Sequence, residues 1–146
     1  MPRAGGAESP MAELFVGLMS GTSLDGADAV LADFSGGAIS VLGHASAPFP
    51  APLRAELLAL NTPGGSDELH RAALAANALA RVYAEVTAEL LKSTGVPASS
   101  VAAIGAHGQT VRHRPLEFDG VGYTLQLNNP ALLAELTSID VVAEFR

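Results

Sequence analysis

An α/β fold is what this sequence predicts, on three observations. Continuous apolar runs at Leu14–Met19, Ala27–Phe34 and Val101–Ala106 have the length and closure of buried strands. A long segment between Ser66 and Gly95 repeats apolar residues at three- and four-residue steps, the period of a helix. Glycine and proline clusters separate these runs, and no repeat or second compositional regime breaks the 146 residues, so a single domain is expected.

Each element has its own local reason. Residues 1–12 read as a disordered leader of small and polar residues, with Met11 an equally good start, and 13–146 as the folded part. The run Leu14–Met19 ends at a Ser/Gly/Thr cluster and forms the first strand. Ala27–Phe34 is the second and Ile39–Leu42 the third, with Ser35-Gly36-Gly37 as the turn between them, which suggests three neighbouring antiparallel strands. A short helix over Leu53–Leu60 stops at Thr62-Pro63-Gly64-Gly65. Ser66 is placed to cap the long helix, Asp67 and Glu68 suit its dipole, and Gly95 and Pro97 end it. Its stripe of Leu69, Ala73, Ala76, Leu79, Tyr83, Val86 and Leu90 reads as a core face. Val101–Ala106 is the next strand, followed by an irregular polar segment from His107. Tyr123–Leu127 forms a strand, Asn129-Pro130 opens a short helix, and Ile139–Phe145 is the last strand.

Composition excludes several classes of function. A net charge of -7 offers no general attraction to phosphate backbones or anionic membranes, so neither nucleic acid nor membrane is an expected partner. The absence of cysteine removes disulfides and thiol chemistry and fits a cytoplasmic setting. The uncharged stretch Phe34–Leu53 is broken by six glycines and prolines and is no spanning helix.

Chemistry concentrates in two places. Ser20-Gly21-Thr22-Ser23-Leu24-Asp25-Gly26 packs glycines and hydroxyls between the first two strands. Gly21 and Gly26 are expected to allow positive φ and close ligand approach, and Thr22 and Ser23 add hydroxyls to a nest of N–H groups suited to phosphate oxygens. Asp25 or Asp28 suits magnesium. The segment is no P-loop, because Ala27-Asp28 stands where Lys-Ser/Thr is required and no helix follows; an ordinary polar hairpin loop fits the same spacing. The second place is the strand end at His107, Gln109 and Thr110, an imidazole, an amide and a hydroxyl suited to the polar groups of a sugar. From the residues alone, His107 is better read as a structural histidine at a strand end. His113, His44 and His70 are assigned no role.

The string Gly17-Leu18-Met19-Ser20-Gly21-Thr22-Ser23-Leu24-Asp25-Gly26-Ala27-Asp28 closely resembles the opening of the anhydro-N-acetylmuramic acid kinases. Ile104-Gly105-Ala106-His107-Gly108-Gln109-Thr110-Val111-Arg112-His113-Arg114-Pro115 resembles the second signature of the same family, in the same order along the chain. The resemblance runs from Leu14 to the end. It implies a ribonuclease-H-like mixed sheet with flanking helices, the N-terminal lobe of an actin-like ATPase fold, here truncated. It further implies that ATP phosphates, with Mg2+, meet the segment Gly21, Thr22, Ser23, Leu24, Asp25, Gly26, Ala27 and Asp28, and that His107, Gly108, Gln109 and Thr110 contact an anhydro amino sugar. The family's reaction opens the anhydro ring and phosphorylates the sugar in cell-wall recycling, and the full-length protein is expected to be a homodimer.

Departures from the family pattern matter as well. Asn128-Asn129 stands where members more usually carry Gly-Asp/Glu, and Leu136, Ser138 and Glu144 replace the more usual Arg, Gly and Asp. The family's catalytic aspartate, a general base, is expected just after Arg146, so this chain is expected to hold no catalytic residue and to be inactive alone. Two other functions fit less of the string: a stand-alone binding or interaction module using an exposed sheet edge, and another sugar or acetate kinase of the superfamily.

Overall fold

The structure is a computed structural model describing residues 13–146; the leader expected at 1–12 lies outside the described residues. Alternating burial along Leu14–Ser20 (β1) and Gly26–Asp33 (β2) drives the first hairpin, whose inward residues Val16, Leu18, Ala29 and Leu31 are almost fully enclosed. Ser40–Pro48 (β3) pairs with β2, and Val101–Ala106 (β4) runs parallel to β1 on its other side. The short strand Val141–Val142 (β7) completes a five-stranded mixed sheet of order β3-β2-β1-β4-β7. Gln109–Pro115 (β5) and Gly122–Leu127 (β6) form a separate antiparallel ribbon.

Helices Ala51–Leu60 (α1), Glu68–Thr94 (α2) and Pro130–Thr137 (α3) supply the other half of the core. Leu79, Tyr83, Val86 and Leu90 of α2 lie fully or almost fully buried with Val16, Leu31 and Ile104 of the sheet. Each such aliphatic side chain contributes roughly 1.5–3 kcal/mol through burial. Among the described residues no helix covers the opposite sheet face, where Phe15, Val30, Phe34, Ile39, Val41 and Val142 line an apolar groove of about 440 Å³.

Several elements depart from the sequence expectations. The third strand runs from Ser40 to Pro48 rather than from Ile39 to Leu42, and so takes in His44. Gly43, Ala45 and Ala47 have weak strand propensity, but backbone pairing with β2 overrides it. At Gly43, any Cβ would strike the Thr94 side chain of α2, so a small residue is what lets the helix lie on the strand. Ser66 is not the cap of α2. The N-cap is Asp67 in the left-handed region at φ 48°, with no side-chain cap bond, and the Ser66 carbonyl accepts from Arg71 Nη1 at 3.0 Å instead.

Leu69 and Ala73 fall outside the buried stripe, with Leu69 89% exposed; the buried residues of α2 begin at Ala75. The first short helix starts two residues earlier than expected, at Ala51. The polar segment after β4 is regular from Gln109 onward, since antiparallel pairing with β6 satisfies its backbone. The final strand shrinks from Ile139–Phe145 to Val141–Val142, where pairing with Ile104 and Gly105 of β4 ends. The Gly95 cap (φ 69°), the extent of β4 and the Asn129-Pro130 opening of α3 are found as expected; Asn129 Oδ1 accepts from Leu132 N at 3.1 Å.

Candidate functional site

Strands β1 and β4 are parallel neighbours, so the polar segments that follow Ser20 and Ala106 emerge at the same edge of the sheet, beyond the strands' carboxyl ends. Between β1 and β2 the chain turns at Gly21, with Leu24 N donating to the Gly21 carbonyl at 3.1 Å. The Leu24 side chain is buried and anchors the bend, whereas Gly21, Thr22, Ser23 and Asp25 are exposed. Among the described residues, the Thr22 and Ser23 amides have no hydrogen-bond acceptor.

Positive φ is found at Leu24 (57°), not at Gly21 or Gly26 as the sequence suggested. The two glycines are needed for different reasons. A Cβ on Gly26 would fall on the Ala47 carbonyl of β3, so Gly26 permits strand approach. A Cβ on Gly21 would meet only Ser23 Oγ at 3.9 Å and otherwise enter open space beside the bend. Gly21, Ser23, Asp25 and Asp28, with Ser46 and Pro48 of β3, line a depression of about 450 Å³ there. Ala27 is buried and offers only its main chain.

Asp25 stands 3.9 Å from Arg54 Nη2, both largely exposed, a contact worth little in water. Asp28 accepts from Ser46 Oγ at 2.5 Å. Among the described residues no group of three His, Asp or Glu side chains gathers around a common point; Asp25 and Asp28 are the two carboxylates in the depression.

The second segment folds back beneath the first. His107 is half-buried; its amide donates to the Leu18 carbonyl at 3.0 Å and its Nδ1 lies 3.0 Å from the Gly108 carbonyl. Gly108 has φ 81°, and a Cβ there would lie 2.6 Å from the Leu127 carbonyl, so only glycine fits. Gln109 is fully buried and donates from Nε2 to the Gly21 carbonyl at 3.1 Å, while its buried Oε1 has no partner among the described residues. Of the sugar-suited trio, His107 lines a hollow of about 220 Å³ with Thr124, Gln126, Asn128 and Arg146, and Gln109 turns inward. Thr110 joins that hollow's rim through its hydroxyl, which accepts from Gln126 Nε2 at 3.0 Å and Arg146 Nη1 at 3.4 Å.

Beneath both segments, Ser20 Oγ lies 3.0 Å from Tyr83 Oη of α2 and donates to the Gly108 carbonyl at 3.4 Å. Burial pushes the Tyr83 phenol up to about 12. Sequence reading missed Ser46, Thr124, Gln126 and this Ser20–Tyr83 support. The period-two alternation of β6 was a usable signal for Thr124 and Gln126; nothing local marked Ser46 or Tyr83.

A five-stranded sheet of this order, three antiparallel strands followed by parallel additions, with a hydroxyl-rich bend at its first hairpin, is that of the N-terminal lobe of an actin-like ATPase fold. The sequence model of the anhydro-N-acetylmuramic acid kinases matches residues 13–146, and the chain belongs to that family. It is 74% identical over 134 residues to the anhydro-N-acetylmuramic acid kinase of Variovorax paradoxus, covering 92% of this chain and 36% of the relative. Identity to the kinase of the same name from Albidiferax ferrireducens is 68% over 136 residues, covering 93% and 35%, and to that of Bordetella petrii 64% over 148 residues, covering 100% and 38%. The chain thus spans a little over a third of the length of these curated relatives.

Proposed function

We propose that this chain supplies the phosphate-binding and part of the sugar-binding surface of an ATP-dependent kinase that opens 1,6-anhydro-N-acetylmuramic acid and phosphorylates it to N-acetylmuramic acid 6-phosphate, in peptidoglycan recycling in the cytoplasm. The observation that carries the reading is the bend Gly21–Asp25: exposed main-chain amides and hydroxyls, with open space where a Gly21 side chain would stand. This donor set fits a nucleotide's phosphates, and the carboxylates Asp25 and Asp28, both lining the depression beside the bend, would suit a magnesium ion.

In this reading the amides of Thr22 and Ser23 and their hydroxyls hold the terminal phosphates, and Asp28 and Asp25 orient the cation. Bound ATP with magnesium supplies the transferable phosphoryl group and neutralises its charge. His107, Thr124, Gln126 and Asn128 hold hydroxyl, acetamido and lactyl groups of the sugar through hydrogen bonds. Gln109 acts from behind, fixing one segment against the other. Holding a transferring phosphoryl group needs donors and cation on several sides, and these residues match little more than a third of their relatives' length, so by themselves they are expected to bind weakly and turn over negligibly.

The test is turnover by the protein at the full length of its relatives, with ATP and one of three acceptors: the anhydrosugar, N-acetylglucosamine or acetate. The expected product has the mass of the anhydrosugar plus one water and one phosphoryl group. Preferential phosphorylation of either other acceptor rejects the assignment.

A further inference from the structure

We propose that Ser46 of β3 is a positioning residue for the cation that accompanies the nucleotide, acting through Asp28; the inference rests on the reading of Asp28 given above. Asp28 and Ser46 are direct cross-strand partners, and Val30 pairs with His44, so His44, Ser46 and Asp28 stand together on the helix-free face of the sheet. This face is apolar at Val30 and Val41 and polar at Asp28 and Ser46, which line the depression beside the bend.

The hydrogen bonds define a direction. Ser46 Oγ has one proton and donates it to Asp28 Oδ1 at 2.5 Å. His44 Nε2 lies 3.3 Å from Ser46 Oγ, which leaves the hydroxyl as acceptor there and assigns the proton to His44 Nε2. The same Nε2 lies 3.6 Å from Asp28 Oδ1. One carboxylate oxygen is therefore held by β3, and Oδ2 has no hydrogen-bond partner among the described residues.

A side chain otherwise free to rotate at the surface is thus fixed by Oδ1, with Oδ2 left for the cation. Partners of this kind around a ligating carboxylate typically govern metal affinity by roughly tenfold or more. Both side chains are exposed, so their truncation leaves the core intact.

The experiment is Mn2+ titration of the full-length protein in the presence of ADP, followed by the electron paramagnetic resonance signal of free Mn2+, beside ADP binding in EDTA. Ser46→Ala is expected to weaken Mn2+ retention roughly tenfold with metal-free ADP affinity and melting temperature unchanged, and Ser46→Thr, which keeps the hydroxyl, to restore it. Wild-type Mn2+ affinity in Ser46→Ala, or an equal loss of ADP binding with and without metal, overturns the proposal. Asp28→Asn separates the two levels. If Asp28→Asn weakens Mn2+ retention and Ser46→Ala does not, only the role of Ser46 falls; if neither does, the reading of Asp28 as a cation ligand fails and the proposal with it.

Discussion

The side-chain amide of Gln109 donates to the main-chain carbonyl of Gly21 at 3.1 Å, so a fully buried residue of β5 fastens the bend after β1. That bond links positions 88 apart and joins the two polar signatures together with the bonds from the His107 amide to the Leu18 carbonyl and from Ser20 Oγ to the Gly108 carbonyl.

Gln109→Leu removes this bond but also removes an unpartnered buried oxygen, so a loss of about 1–2 kcal/mol is expected. Gln109→Glu keeps the shape and sets a carboxylate against the Gly21 carbonyl, an uncompensated buried charge that destabilises by more than about 3 kcal/mol. Chemical denaturation should rank Glu well below Leu; the reverse order would show that Gln109 acts by volume alone.

Tyr83 makes stability depend on alkaline pH. Its phenol titrates near 10.0 when unfolded and is pushed up to about 12 by burial, so the unfolded chain releases the proton first. The stabilisation is complete below pH 10 and is lost as pH rises toward 12, by about 2–3 kcal/mol. Tyr83→Phe also leaves Ser20 without its 3.0 Å partner, costing roughly 1 kcal/mol at pH 7. Denaturation midpoints of the two proteins should therefore converge above pH 10; parallel curves would refute the assignment.

The two glycines of the bend should separate binding from folding. Gly26→Ala drives a Cβ onto the Ala47 carbonyl and should destabilise by roughly 1–3 kcal/mol. Gly21→Val enters open space, so its melting temperature should stay near wild type while nucleotide affinity in the full-length protein falls about tenfold. Calorimetry measures both. Unchanged nucleotide affinity in Gly21→Val would count against the bend as a phosphate site.

Arg112 ties the ribbon to the helices: Nε donates to the Leu60 carbonyl at 2.9 Å and Nη2 to Glu68 Oε1 at 2.9 Å and the Thr62 carbonyl at 3.3 Å. Arg112→Ala should cost about 1.5–3 kcal/mol, and at about 2–4 °C per kcal/mol that is visible in a thermal melt. Arg112→Lys should recover little, because one ammonium cannot span three acceptors arranged for a planar fork. Full recovery by lysine would reduce the interaction to simple charge.

The sequence by itself determined the class of fold, the positions of β1, β2, β4, α2 and α3, and both polar segments, because apolar period, glycine and proline are local signals. It misjudged β3 and the last strand, where Gly43–Ala47 has little intrinsic strand preference and Phe145 too much, and only pairing with β2 and β4 decided the outcome. The alternation of β6 puts Thr124 and Gln126 on one face, but tertiary structure alone decided that this face meets the hollow, that Gln109 turns inward, that Ser46 meets Asp28, and that Tyr83 lies under both segments. Those relationships join residues from 16 to 88 positions apart, and their partners are chosen by sheet register and helix packing, which no local stretch of residues encodes.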